Sequence, residues 1–82
     1  MSYSIQWDKT PLKFLKNLQK DIAIRILNKL DEVKQDPFRY LEHYEGEGYK
    51  LRIGDYRVII DINFEYKILI IQILDKRGRI YK

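Results

Sequence analysis

A chain of 82 residues that is 45% hydrophobic and 34% charged is too apolar for disorder, and it suffices for one small domain, 1–82, with any active site on its surface. The absence of cysteine excludes a disulfide framework, a thiolate metal site and a thiol nucleophile, and a lone histidine, His43, excludes the usual multi-histidine zinc centres. Sixteen Lys and Arg against twelve Asp and Glu leave +4, mostly after Glu45, where eight basic residues meet five acidic ones; this bias suits an anionic partner such as nucleic acid or an acidic protein segment.

Tyr3, Ile5 and Trp7 alternate with Ser2, Ser4 and Gln6, the period of a half-buried strand. Thr10 and Pro11 supply an N-cap and a first helical residue for a short helix with Leu12, Leu15 and Leu18 inward. Asp21 can cap a second helix, in which Ile22, Ala23, Ile26, Leu27, Leu30 and Val33 form a stripe about 140° wide, with Ile24 off its edge. Asp36-Pro37 ends that helix, because the residue before a proline is pushed out of the helical region. With only a short break near Lys20, the two helices form an antiparallel hairpin, and 38–48 reads as a connecting loop that includes His43.

From Tyr49 the chain is strand-rich. Tyr49, Leu51 and Ile53 alternate with Lys50 and Arg52, Gly54-Asp55 makes a two-residue turn, and Tyr56, Val58, Ile60 and Ile62 return. Residues 63–65 form a second turn, and 67–74 is so continuously apolar that it suits a central strand buried on both faces. Interrupted by Gln72, this longest apolar run is also far too short to span a bilayer, and the amino terminus lacks a signal-peptide core, so the chain reads as cytoplasmic. Gly78 precedes a short final segment. The order is β-α-α-β-β-β with a further short β, and the expected fold class is α+β, an antiparallel sheet with a two-helix hairpin packed on one face.

A two-residue turn at Gly54-Asp55 sets the register: Ile53 opposite Tyr56, Arg52 opposite Arg57, Leu51 opposite Val58, Lys50 opposite Ile59. Lys50, Arg52 and Arg57 then gather on the face away from the helices. Two directly opposed arginines repel by about a few tenths of a kcal/mol, which is tolerable where an anion is to be held. The same residues also suit a solvated face, with long side chains splayed into water. Lys76, Arg77 and Arg79 follow the last long strand as a third basic source, with Tyr81 beside them, although a terminal aromatic alone more often packs at a domain edge.

The phrases YKLRIGDYRVIIDI at 49–62 and LDKRGRIY at 74–81, together with Asp36-Pro37 and the order of elements, resemble the RelE/ParE superfamily of bacterial and archaeal toxins over nearly the whole chain. The resemblance implies the toxin of a type II toxin–antitoxin pair, partnered by a RelB-like antitoxin. RelE-type members cleave mRNA in the ribosomal A site without metal or other cofactor, by attack of a ribose 2′-OH on the adjacent phosphate. On that analogy the catalytic residues are Lys50, Arg52, Arg57, Arg77 and Tyr81, with Lys76 and Arg79 binding RNA; Tyr81 or Lys50 assists the 2′-OH, Arg57 holds the phosphate, and Arg77 serves the leaving oxygen. ParE-type members share the fold but poison DNA gyrase, and a degenerate RNA-binding domain is a third reading. Position 52 is Arg where the best-known RelE members have Lys, the hairpin turn is shorter than theirs, and no carboxy-terminal helix follows Lys82. Lysine and tyrosine, with reference pKa values of about 10.4 and 10, are weak bases for this task unless cations depress them or the ribosome supplies the positioning.

Overall fold

The computed structural model describes residues 2–45 and 48–76. Its elements are β1 (Ser4–Trp7), α1 (Lys9–Lys16), α2 (Lys20–Gln35), α3 (Pro37–Tyr40), β2 (Glu42–His43), β3 (Tyr49–Ile53), β4 (Tyr56–Asn63) and β5 (Ile68–Lys76). They build one five-stranded sheet in the order β1-β5-β4-β3-β2, so the α+β class read from the sequence holds.

Both helix starts differ from the capping residues expected. The N-cap position of α1 is Asp8, with extended backbone and no side-chain cap bond, and Leu12 N–H is the first to reach back, to Asp8 C=O at 3.2 Å. Pro11 is thus the third helical residue rather than the first. The first N–H groups of a helix have no partner within it, so the missing donor is still harmless there. In α2 the cap position is Gln19, and Asp21 sits in the first turn, where a carboxylate favours the positive end of the helix dipole.

Packing on α2 is narrower than the apolar stripe. Ile26, Leu30 and Val33 are buried, Ile22 and Ala23 are partly covered, and Leu27 at the edge of the arc is exposed, as is Ile24. Asp36 ends the helix with a non-helical backbone, φ -154° and ψ 76°, before Pro37, where the proline ring disfavours the helical region. The stretch read as a loop instead holds most of α3, the buried Leu41 and β2, elements too short to show a period.

The β3–β4 hairpin has the expected register, from Ile53↔Tyr56 to Lys50↔Ile59, with Gly54 at φ 58°. A Cβ at Gly54 would also lie 2.9 Å from the Arg25 guanidinium. Gly54→Ala is therefore expected to lower stability by about 1 kcal/mol or more, since it forces a side chain into the left-handed region; urea unfolding measures it.

Neighbouring strands from β2 to β5 pair antiparallel, but β1 lies parallel to β5, Ser4↔Ile68 through Trp7↔Ile71, and makes the sheet mixed. A parallel neighbour requires a long crossover, and here everything from α1 to β4 separates the two strands in sequence. The doubly buried strand is β4 rather than β5: Tyr56 through Ile60 are all buried, whereas on β5 only Leu69, Ile71 and Leu74 are, with Ile68 and Ile70 half-buried and Ile73 44% exposed. The register explains the misleading run. Ile59 pairs with Ile73 but Ile60 with Ile71, so Gln72 is an extra residue that shifts the alternation. Leu69 and Ile71 before it and Leu74 after it then share the helix-facing side, and the strand reads as continuous.

The core lies between this face and the helices. Ile26, Leu30, Val33, Val58, Ile60, Leu69 and Ile71 are essentially inaccessible, and Phe14 of α1 meets Tyr56 edge-on. No helix among the described residues is long and apolar enough to cross a membrane.

Candidate anion-binding and catalytic site

The face of the sheet away from the helices is where the hairpin register sends Lys50, Arg52 and Arg57. Arg52 and Arg57 are directly opposed, and Lys50 lies two residues along β3 from Arg52. Exposure separates their roles: Arg52 is exposed, Lys50 half-buried, and Arg57 on the central strand only 6% exposed. A guanidinium this deep in a sheet must be balanced, and β5 supplies the means, because Arg57 pairs on its other side with Asp75. Opposite charges directly across strands attract, offsetting the Arg52–Arg57 repulsion.

The second edge of the site comes from β2. Glu42 pairs with Lys50, and Glu42, Lys50, Leu51, Arg52 and Arg57 line a pocket of about 160 Å³. Three cations and one carboxylate thus border a single small volume. Such a pocket can hold a compact anion through charge and through the planar donor forks of two arginines, and it can stabilise negative charge that develops on the bound group.

Two of these features escaped the sequence reading. Glu42 sits in a strand of two residues inside an apparent loop. Asp75 could be paired with Arg57 only by counting across the extra residue at Gln72. Among residues that were anticipated, Lys76 pairs with Tyr56, a residue buried on the helix side, so its register position is not on the face of Arg57. Arg77, Arg79 and Tyr81 lie outside the described residues. His43 belongs to β2 rather than to a loop, with its ring 4.8 Å from that of Tyr49 and 34° from parallel.

A larger groove, about 560 Å³, runs between α2 and the hairpin tip. Its walls carry both signs, with Asp21 and Glu32 beside Arg25 and Lys29, and it shares only Arg52 with the open-face pocket. Charge, rather than volume, favours the smaller site for an anion. Among the described residues, no three or more His, Cys, Asp or Glu side chains are grouped so as to hold a metal ion.

Comparison with known proteins places this chain among toxins. Residues 5–80 match the family described as the ParE toxin of type II toxin–antitoxin system, parDE. A search of curated proteins found no match. Among solved structures, the archaeal RelE–RelB complex from Pyrococcus horikoshii contains a chain with 31% identity and a TM-score of 0.78, over 96% of this chain and 99% of that one. The toxin–antitoxin complex RelBE2 from Mycobacterium tuberculosis contains one with 21% identity and a TM-score of 0.84, over 94% and 100%. The isolated E. coli RelE toxin follows at 21% identity and 0.77, over 98% and 92%.

Proposed function

This chain belongs to the ParE toxin family of type II toxin–antitoxin systems, within the RelE/ParE superfamily, and on that premise we propose that it is a ribosome-dependent endoribonuclease that cuts mRNA in the A site and stops translation in the cytoplasm. The observation that carries this reading is the open-face pocket, where Arg52 and Arg57 oppose one another beside Lys50. It suits a phosphodiester whose charge rises during attack of the neighbouring 2′-OH. Arg57 holds the phosphate, Arg52 and Lys50 add charge, and Arg77 and Tyr81 complete the set by family analogy, with Arg79 binding RNA beside them; Lys76, whose register position is on the other face, is left out of the set. The ribosome positions the 2′-OH in line, which is worth much of the barrier when side-chain acids and bases are weak.

A RelB-like antitoxin is the partner in this proposal. Some structures of similar toxins are complexes with RelB, including those from Pyrococcus horikoshii and Methanococcus jannaschii. Masking the basic pocket would silence the activity, and the exposed Ile73 on the same face offers apolar surface to the covering segment.

Purified protein added to a translating extract is expected to yield codon-phased cuts with 2′,3′-cyclic or 3′-phosphate ends, and to leave ribosome-free mRNA intact. Arg77→Ala and Tyr81→Ala are each expected to slow cleavage without altering the fold. Intact mRNA in the translating extract would overturn the proposal. The matching family is described by its ParE toxin, and this favours one second reading, an inhibitor of DNA gyrase; accumulated cleaved gyrase–DNA complexes with unaffected mRNA would establish it. Salt-sensitive RNA binding without turnover would instead mark a degenerate domain.

A further inference from the structure

A carboxylate in a pocket built to hold an anion requires an explanation. Glu42 lines the same small pocket as Lys50, Arg52 and Arg57, and its charge opposes the binding that the other three promote. Its position is built with care. Leu41, buried beside it, closes the α3 turn through Leu41 N–H to Pro37 C=O at 2.9 Å, and beyond β2 Tyr44 N–H donates to Gly48 C=O at 3.1 Å. Gly48, at φ 79°, allows that closure where a Cβ would stand 3.0 Å from Ile60 C=O. The two-residue strand between these anchors puts Glu42 directly opposite Lys50, on the open face.

We infer that Glu42 is the general base of this site, taking the proton from the attacking ribose 2′-OH; the inference rests on the ribonuclease reading above. Lysine and tyrosine hold their protons near neutrality and carboxylates do not, so Glu42 supplies the function that the cationic set lacks. Along the face, Arg52 and Lys50 are two residues apart, about 7 Å at strand rise, and Glu42 is the neighbour of Lys50 on the outer strand. A phosphate held between the two arginines therefore has the carboxylate to one side, within the reach of the adjoining ribose. As the 2′-oxygen bonds to phosphorus, its proton passes to the Glu42 carboxylate. The bond from phosphorus to the 5′-oxygen breaks, and that oxygen takes a proton from water. A 2′,3′-cyclic phosphate and a free 5′-hydroxyl result, and Glu42 returns its proton to solvent.

A glutamate that only paired with Lys50 would behave in the opposite way: neutralising it would strengthen the hold on RNA and leave the chemistry intact. Glu42→Gln keeps the shape and removes the proton acceptor. With the full-length protein on programmed ribosomes, Glu42→Gln is expected to slow single-turnover cleavage by about 10²-fold or more, the usual contribution of a general base. Binding of mRNA-programmed ribosomes stays equal or becomes tighter. Glu42→Asp recovers part of the lost rate, and thermal unfolding shows both variants folded. Cleavage by Glu42→Gln within about threefold of wild type, or a loss matched by weaker binding, would overturn the assignment while leaving the ribonuclease reading in place. Equal loss in folded Glu42→Asp and Glu42→Gln would overturn it too. Absence of cleavage by the wild-type protein would remove the ribonuclease reading itself, and this inference with it.

Discussion

Arg57→Ala is expected to reduce ribosome-dependent mRNA cleavage by about 10²–10³-fold, the cost of removing one donor aimed at charge developing in a transition state. Arg57 combines depth and direction. It is 6% exposed on the central strand, with Arg52 opposite on one side and Asp75 on the other. A guanidinium in low-dielectric surroundings interacts with a bound phosphate far more strongly than one in water, and its neighbours limit its freedom to turn away. Arg57→Lys keeps the charge but loses the planar fork, so its rate is expected to fall by about tenfold or more rather than to be preserved. Alanine also leaves the Asp75 carboxylate facing no cation across the strand, and some stability is lost with it. Thermal unfolding of both variants separates that loss from the chemical one. A folded Arg57→Ala variant that cleaves at the wild-type rate would remove Arg57 from the catalytic set.

The largest effect on stability is expected at Ile60. Its side chain is fully inaccessible, and its strand neighbours are Tyr49 on β3 and Ile71 on β5, within the core cluster that includes Ile26 and Leu30 of α2. Truncating a core isoleucine to alanine costs about 2–5 kcal/mol, the transfer term plus the cavity left behind. A domain of this size has a total stability of about 5–15 kcal/mol, and each kcal/mol shifts the midpoint by about 4–8 °C. Ile60→Ala is thus expected to lower Tm by about 10 °C at least, or to prevent folding. Ile73→Ala, one strand away and 44% exposed, is the matched control, with an expected change of about 1 kcal/mol or less. Similar losses at the two positions, measured by thermal and urea unfolding, would contradict the burial that distinguishes them.

The contrast between these isoleucines shows why parts of the fold were legible and others were not. Both sit in runs of apolar residues, and the run containing Ile73 looked the more buried. Composition alone cannot show that Gln72 is an extra residue, which turns Ile73 outward and keeps Leu74 inward. β4, although it carries Arg57 and Asp61, is the middle strand of five. The helices were legible because Ile22, Ile26, Leu30 and Val33 repeat at helical spacing and Asp36-Pro37 imposes a stop through local sterics. Their first residues were not, since several positions in a first turn satisfy capping equally well.

The site divides along the same line. The amino-acid sequence by itself determined the α+β order, the two-residue turn at Gly54-Asp55, and hence the placement of Lys50, Arg52 and Arg57 on one face. Each follows from neighbours in the chain, where a tight turn leaves one register and strand alternation leaves one side. Only the tertiary structure decided that β1 runs parallel to β5, that Asp75 stands across from Arg57, and that Glu42 reaches the same pocket. Those relations join residues far apart in the chain. They depend on how strands are ordered in the sheet and where an extra residue shifts the ladder, which burial of the whole core selects and no local pattern encodes.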